Sequence, residues 1–216
     1  MDKAQPKAIL YRLYKKYRHE LHTQLKHRNN TELFVAVLLS PQCTDKQTNK
    51  VTSALFKRFK TFNDYANASL QELQKYLRGL NYYKTKAKYL KAASKQLVEM
   101  HNGKVPKTMK ELLELQGVGR KVANVILSEA YGINEGIAVD THVRTTARRL
   151  GLTRSTNPEI IEKDLMRQFD RGEWGDVSNL LIALGRDTCK AVKKECGRCA
   201  LNDICPSSSA RKESRK

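Results

Sequence analysis

The sequence lacks any long apolar run, and its apolar stretches, such as residues 33–39, are far too short to cross a bilayer. It also lacks a secretory or transit peptide at its N-terminus, where charged, amphipathic sequence stands instead. We therefore expect a soluble globular protein with a cytoplasmic location and no signal or targeting peptide. The 216 residues, 40% of them hydrophobic, suffice for one medium domain or two small ones.

Acidic residues are scarce. The chain has 22 Asp and Glu against 41 Lys and Arg, for a formal net charge of +19. Such an excess attracts polyanions, and RNA, an anionic membrane or simple solubility would each be compatible with it. Nucleic acid is the favoured partner because the basic residues recur along the whole chain, in runs at 15–18, 57–60, 84–95, 144–149 and 190–194.

No segment alternates polar and apolar residues well enough to predict a strand, so we expect an all-α fold. Apolar residues recur at helical spacing, and helix-start signals punctuate the chain. Ser69 with Glu72 and Thr108 with Glu111 have the spacing of capping boxes, and Asn157-Pro158 marks a further helix start. The small, charged stretch 207–216 is expected to be a disordered tail.

Four cysteines lie close together near the C-terminus, with the spacing Cys189-x6-Cys196-x2-Cys199-x5-Cys205. Soft thiolates select iron-sulfur clusters or zinc. Zinc sites usually use two short Cys-x2-4-Cys hooks, and only one gap here is that short, so an iron-sulfur cluster is favoured and zinc is the alternative. A disulfide framework is a poor explanation because a fifth cysteine, Cys43, lies far upstream.

Two glycines, Gly117 and Gly119, separate a short apolar helix from one that begins near Arg120. Free N–H groups at such a helix start favour a phosphate, but an ordinary glycine-terminated helix connection is common and, for this pattern taken alone, is the preferred interpretation. Lys121 follows directly, and a deprotonated lysine amine is a nucleophile. A carboxylate such as Asp140 can accept its proton, but Lys121 as a phosphate ligand and Asp140 as a helix cap are the alternatives.

Several segments together resemble the helix-hairpin-helix DNA glycosylases and, within them, endonuclease III. The resemblance runs from about Glu32 to Cys205, and its segments occur in the family's order. They are Leu39-Ser40-x-Gln42-Cys43-Thr44-Asp45, Leu115-x-Gly117-Val118-Gly119-Arg120-Lys121-x-Ala123, Val139-Asp140-Thr141-His142-Val143 and Leu184-Gly185-Arg186-x-x-Cys189.

The resemblance implies a two-lobed helical protein that holds damaged duplex DNA between its lobes. One lobe, residues 22–134, would be a six-helix domain with the hairpin. The other would combine residues 1–21 and 135–216 and carry a 4Fe-4S cluster loop at about 189–205. The implied protein is a monomeric, nucleoid-associated enzyme of base excision repair.

The implied activity is that of a bifunctional DNA glycosylase and abasic-site lyase. It would excise oxidised pyrimidines and cleave the abasic site by β-elimination through a Schiff base on Lys121, with Asp140 as the assisting carboxylate. The implied cluster ligands are Cys189, Cys196, Cys199 and Cys205. The implied DNA contacts are Gln42, Tyr82, Gly117, Val118, Gly119, Arg120, His142 and Lys193.

The chain departs from the family pattern at two places that bear on lesion preference. Pro41 stands where family members commonly carry Ala, and Asn81-Tyr82 stands where they carry Gly-Leu, whose leucine is a wedge into the base stack. Stacking by Tyr82 would fill the wedge role, with Asn81 taking the left-handed backbone conformation. Plain helix-end packing is the alternative for both.

Three alternatives compete with this interpretation, and the first is another lesion specificity within the same superfamily. Mismatch-specific relatives lack the hairpin lysine, and the common glycosylases for oxidised guanine lack this cysteine spacing. A non-catalytic DNA-binding protein would use only the hairpin and the basic surface. An iron-sulfur redox protein is a third possibility, but the sequence carries no flavin or nucleotide fingerprint to accompany such a centre.

Overall fold

A computed structural model describes residues 5–210, and within that range the chain is helical with one isolated β-bridge, between Cys189 and Lys194. The expected all-α fold is confirmed. No helix in the described range is long and apolar enough to cross a membrane. The α-helices of this range are α1 Pro6–Tyr17, α2 Asn30–Leu39, α3 Asp45–Arg58, α4 Phe62–Asn67, α5 Leu70–Leu77, α6 Tyr83–His101, α7 Met109–Glu114, α8 Arg120–Tyr131, α9 Thr141–Arg149, α10 Pro158–Met166 and α11 Trp174–Asp187.

The chain divides into two compact units. The central unit is Gln24–Ile133 and contains α2 to α8, whereas the flanking unit combines the segments on either side of it and contains α1 and α9 to α11. Each unit has its own hydrophobic core. The flanking unit is therefore assembled from two segments that are distant in sequence.

The core of the central unit surrounds α2, whose residues 32–39 are all buried. A helix that is apolar on every side must be enclosed by others, and α3, α6 and α8 pack against this one. Phe34 meets Phe62 edge to face at 5.4 Å between ring centroids. The one acidic side chain in this stretch, Glu32, is neutralised by the Arg28 guanidinium 2.5 Å away.

The flanking unit joins α1 to the C-terminal helices through both apolar and polar contacts. Tyr17 donates a hydrogen bond to the Asp187 carboxylate at 2.7 Å, and Arg12 contacts Asp203 at 2.5 Å. Apolar residues of α1 pack in the same core as those of α9, α10 and α11, namely Ile9, Leu10, Leu13, Val143, Leu165, Leu180 and Leu181. This combination fixes the N-terminal helix to sequence that follows it by more than a hundred residues.

Helix starts follow the sequence signals, with one difference in detail. The Ser69 and Thr108 side chains each accept from the backbone three residues later, but neither forms the complete reciprocal box. At Ser69 the reason is that Glu72 instead contacts Arg58, at 3.2 Å. A complete box occurs at Thr61, where the Asp64 carboxylate accepts from the Thr61 backbone N–H.

The expected tail, 207–216, begins with residues that are held in place. Ser208 is buried, its N–H donates to the Cys205 carbonyl at 3.1 Å, and Lys194 donates to the Ser207 carbonyl at 3.0 Å. Ser207 and Ser208 line the cavity of the cysteine loop, and the disorder of the tail as a whole stays a prediction. Residues 211–216 lie outside the described residues.

Candidate functional site

The glycine-containing hairpin connects α7 to α8 in the central unit. Gly117 has φ of +82°, and a Cβ at this position would lie 2.7 Å from the Tyr89 ring, so both conformation and space require glycine. Val118 is buried and anchors the turn. Gln96 of α6 holds the hairpin from one side, donating to the Glu114 carbonyl at 3.0 Å and accepting from the Gln116 N–H at 2.8 Å.

The N-terminus of α8 has no side-chain cap. Gly119 occupies the cap position without a side-chain cap, and a Cβ there would meet nothing within 4 Å. Backbone N–H groups in the first turn of a helix have no partner within the helix itself, and the helix dipole favours an anion there. Arg120 and Lys121 are the first two residues of α8, and the Lys121 side chain is half-buried.

Asp140 is the N-cap of α9 in the flanking unit. Its Oδ1 accepts a hydrogen bond from the Val143 N–H at 2.8 Å, which fixes the orientation of the carboxylate. The helix-cap alternative for this residue is therefore correct as a structural statement. The neighbouring His142 is half-buried against Gly185, where an added Cβ would approach the His142 Cβ to 2.9 Å.

Gln42 and Tyr82 lie in two loops of the central unit that the structure brings together. Both side chains are exposed, Tyr82 by 67%, and both residues have left-handed backbone conformations, with φ of 59° and 57°. The Asn81 side-chain amide donates to the Gln42 carbonyl at 2.6 Å. The expectation that Asn81 takes the left-handed conformation is thus wrong. Tyr82 takes that conformation, and the Asn81 side chain forms a hydrogen bond with the neighbouring loop.

The four C-terminal cysteines line a single cavity in the flanking unit, together with Leu184, Arg149 and the 207–208 segment. They surround this space rather than converge on a point, and within residues 5–210 no three histidine, cysteine or acidic side chains form a group that could hold a metal ion. All five cysteines, including Cys43, are free thiols. The cavity is therefore the part of the cysteine loop that would enclose a bound group.

The electrostatic environment of these thiols differs from one to the next. Burial raises the pKa of Cys205. The other three cysteines raise it further, because negative charge on a neighbouring thiolate disfavours ionisation of the Cys205 thiol. Burial also acts to raise the pKa of Cys196. Hydrogen bonds from Ser209 and the nearby positive charge of the Lys194 ammonium outweigh this effect and hold that pKa below its usual value.

Arg149 supports the cysteine loop, a role that the sequence did not reveal. Its guanidinium donates to the carbonyls of Cys189 at 2.9 Å, Lys190 at 2.8 Å and Ala191 at 2.9 Å. In sequence it is one member of the basic run 144–149, and its partners lie some forty residues away. Only the distance in space distinguishes it from Arg148, which is exposed.

The basic residues of the loop itself fall into two groups. Lys190 and Arg198 both contact Glu195, at 2.7 Å and 2.6 Å, so their charges are partly offset. Lys193 is exposed, beside Val192, whose side chain is completely exposed. Lys193 is therefore an exposed candidate phosphate contact of this loop.

Comparisons with known proteins agree with this arrangement. Residues 35–171 match the HhH-GPD superfamily of base excision DNA repair proteins. The chain is 44% identical over 186 residues to endonuclease III of Synechocystis sp., covering 86% of this chain and 85% of that protein, and 43% identical to endonuclease III of Bacillus subtilis, covering 84% and 83%. The chain belongs to the endonuclease III family. Membership of this base excision repair family confirms the resemblance seen in the sequence segments.

The structural match to the endonuclease III family is equally extensive. A solved structure of a trapped endonuclease III–DNA covalent intermediate superimposes with a TM-score of 0.92 at 38% identity, covering 98% of this chain and 99% of that one. The likeness thus extends over nearly the whole length of both chains. The family is one of DNA glycosylase/lyases, and the expected class of enzyme is confirmed.

Proposed function

We propose that this member of the endonuclease III family excises oxidised pyrimidines from duplex DNA and cleaves the resulting abasic site. The observation that carries the proposal is Lys121 in the first turn of the hairpin helix α8, in a chain that aligns with endonuclease III throughout. A lysine nucleophile separates a glycosylase that also acts as a lyase from one that only hydrolyses.

Lys121 forms the covalent bond to the sugar in the proposed reaction. The Lys121 Nζ, as a free amine, bonds to C1′ while the glycosidic bond breaks and its electron pair leaves with the base, which is then protonated. Opening of the sugar ring gives a Schiff base between Nζ and C1′. Loss of a proton from C2′ then expels the 3′ phosphate, and water hydrolyses the Schiff base to restore the amine.

Asp140 accepts the proton from the Lys121 ammonium in this proposal and stabilises positive charge that develops on the sugar. Its hydrogen bond from Val143 supports the assignment, because a carboxylate with a fixed orientation does not have to be ordered during the reaction. Lys121 is the proposed nucleophile, and Asp140 is the proposed base.

The DNA contacts are proposed on the same residue-by-residue basis. The hairpin 117–120 would bind a phosphate through the backbone N–H groups at the start of α8, and Arg120 would add charge there. Gln42 and Tyr82 would enter the base stack, which a damaged base leaves at a lower cost than a normal one. His142 and Lys193 would contact the backbone. The partner is duplex DNA, bound by a monomer in the cytoplasm, at the nucleoid.

Cys189, Cys196, Cys199 and Cys205 are proposed to hold a 4Fe-4S cluster. The support is that four soft thiols line one cavity, because a cubane cluster spaces its ligands around a volume. When bound, the cluster would cross-link the loop that carries Lys193. Bond cleavage is assigned to Lys121 and Asp140 alone.

Borohydride trapping tests the nucleophile and the substrate together. The protein is mixed with duplex DNA that contains thymine glycol or an abasic site, and borohydride is added to reduce the Schiff base. We expect a covalent protein–DNA adduct that Lys121→Ala abolishes and that Lys110→Ala, on α7, leaves intact. Tight DNA binding without an adduct, or an undiminished adduct in Lys121→Ala, would contradict the proposal and favour a non-catalytic DNA-binding protein.

A further inference from the structure

Two exposed residues of the central unit are held in a backbone conformation that side chains disfavour. Among the described residues other than glycine, positive φ occurs at Gln42, Tyr82 and Asn102. Asn102 ends α6 in the ordinary manner of a helix C-cap. Gln42 and Tyr82 have no such explanation, and strained residues persist only where their surroundings determine them.

A single lysine supplies much of that determination. The Lys86 ammonium donates to the Pro41 carbonyl at 2.8 Å and lies 3.1 Å from the Cys43 thiol, so it contacts the chain on both sides of Gln42. Its backbone N–H donates to the Tyr82 carbonyl at 3.0 Å. That backbone bond is the first hydrogen bond of α6, which any residue other than proline would form, so the contribution of the Lys86 side chain is to the segment around Gln42.

Asn81 completes the arrangement. Its side-chain amide donates to the carbonyl of Gln42, while Lys86 holds the carbonyl of Pro41. These two carbonyls belong to the peptide groups immediately after and before the Gln42 Cα. Since the orientations of those two peptide groups define φ and ψ, the two contacts together fix the backbone of Gln42.

The burial of Lys86 makes a purely stabilising role a poor explanation. Lys86 is only 7% exposed, and burying an ammonium group is costly even when it is hydrogen-bonded. Its acceptors are a carbonyl and a thiol of an exposed loop, rather than a carboxylate. Such a contact is better explained by the position that it gives to the loop around Gln42 than by its contribution to stability.

We propose that Lys86 and Asn81 are positioning residues that hold the side chains of Gln42 and Tyr82 as one rigid pair for insertion into the base stack at a damaged nucleotide. This inference rests on the proposed function. A pair that is already ordered before binding loses less conformational entropy when it enters the duplex. The two residues act through Gln42 and Tyr82 and have no part in the bond-breaking steps.

Lys91 is a matched control on the same helix. It also directs its ammonium group to backbone carbonyls, those of Ala66 at 2.7 Å and Ala68 at 2.6 Å, but these join α4 to the following turn. Lys91→Met and Lys86→Met thus remove the same kind of contact from different places. Asn81→Ala is the second test variant, because Asn81 is exposed and its loss spares the core.

The first experiment compares thymine glycol in a fully paired duplex with thymine glycol opposite a missing base, where extrusion of the lesion is easier. We expect Lys86→Met and Asn81→Ala to lower kcat/KM about ten-fold on the paired substrate, the size expected when one or two hydrogen bonds are lost, and much less on the other. Lys91→Met should lower the thermal midpoint and leave the ratio between the two substrates unchanged.

The second experiment asks whether Asn81 acts through Gln42. In a Gln42→Ala background, Asn81→Ala should cause little further loss on the paired substrate, because there is no longer a glutamine side chain to place. Additive losses, or losses on both substrates that parallel the change in thermal midpoint, would overturn the proposal.

A binding measurement separates this inference from the proposed chemistry. In Lys121→Gln protein, 2-aminopurine beside the lesion reports unstacking of the duplex without any reaction. We expect its fluorescence to rise on binding and to rise less with Lys86→Met or Asn81→Ala. An unchanged rise would overturn the inference even if excision were normal. A wild-type protein that does not excise would instead contradict the proposed function and leave this measurement to decide the positioning role.

Discussion

Asp140 accepts a hydrogen bond from the Val143 N–H, so its side chain caps α9 whether or not it takes part in chemistry. One residue thus carries two roles that substitution can separate. Asparagine has the same shape and is an equally good helix cap, but it cannot accept a proton as a carboxylate does.

We therefore predict that Asp140→Asn leaves the free energy of unfolding nearly unchanged and lowers base excision by about 10²-fold or more, the usual contribution of a general base. Asp140→Ala should lose activity to a similar extent and, in addition, about 1 kcal/mol of stability as the cap is removed. Urea unfolding and single-turnover excision assays measure the two effects. Full activity of Asp140→Asn would refute the assignment of Asp140 as a base.

Asn157→Ala is the matched control for this prediction. The Asn157 side chain caps α10 by accepting from Glu159 and Ile160. Its removal should cost a similar amount of stability and leave excision unaffected, because nothing assigns α10 to the reaction.

At the scale of single residues, the sequence indicates candidates for chemistry, whose roles stay predictions, but it does not determine their conformation. Lys121 and Asp140 stand out because few residue types can act as an amine nucleophile or a base. The left-handed conformation of Tyr82 could not be predicted, because asparagine prefers that conformation more than tyrosine does. The hydrogen bond that commits Asn81 to Gln42 spans 39 residues, and local preferences contain no information about it.

At the scale of helices and loops, most helix starts could be predicted because caps are local. Asn157-Pro158 begins α10, and Ser69 and Thr108 cap α5 and α7 as expected. Contacts between elements are a different matter. Arg149 is indistinguishable from its neighbours in sequence, although it alone of the 144–149 run binds three successive carbonyls of the cysteine loop.

The role of Arg149 leads to a prediction about the cysteine loop. Arg149→Met would leave the three carbonyls without their donor, so we expect faster loss of the proposed 4Fe-4S cluster and weaker DNA binding. Arg148→Met removes an equal charge from the adjacent exposed position and should have little effect on cluster retention. The decay of visible iron-sulfur absorbance in the presence of a chelator is the measurement. Equal decay in the two variants would show that Arg149 does not support the loop.

The hairpin between α7 and α8 provides a second prediction at this scale. Gly117→Ala suffers both from its positive φ and from collision with the Tyr89 ring, whereas Gly103→Ala, also at positive φ, meets no atom within 4 Å. We expect about 1 kcal/mol of destabilisation for Gly103→Ala and clearly more for Gly117→Ala. Only Gly117→Ala should also weaken binding to duplex DNA.

Adding Tyr89→Ala to Gly117→Ala checks the cause. The double variant should regain part of the binding lost by Gly117→Ala, because the collision is gone and only the backbone strain remains. If the double variant bound DNA no better than Gly117→Ala, the collision would not be the reason for the loss.

At the scale of the whole molecule, the small number of carboxylates makes each paired one important for acid stability. Burial acts to raise the pKa of Glu32, but hydrogen bonds from the Arg28 side chain and backbone outweigh it and leave that pKa below its usual value. Hydrogen bonds from Tyr17 and Lys16 lower the pKa of Asp187. Both carboxylates therefore stay ionised in the folded protein at a pH where the unfolded chain takes up protons.

We predict that the contribution of these two carboxylates to stability is constant above about pH 5, since both are then ionised in either state, and falls as the pH is lowered through the usual carboxylate range. Glu32→Gln and Asp187→Asn should each be less stable than wild type at pH 7 and approach it in acid. Glu99→Gln, at an exposed pair 3.7 Å from Lys95, serves as the control and should give a curve parallel to wild type. Urea unfolding between pH 7 and pH 3 is the measurement.

The hydrogen bond from Tyr17 to Asp187 also has a consequence for the nascent chain. Its partners are 170 residues apart, which at about 5–20 residues per second corresponds to roughly 10–30 s of translation. The central unit can fold during that interval, because all of its residues emerge before the C-terminal helices do. During this interval the C-terminal helices that bury Ile9, Leu10 and Leu13 of α1 have not yet been synthesised, so these three side chains lack their core partners. For this protein, α1 is synthesised before the central unit but can complete its packing only after the central unit has been synthesised.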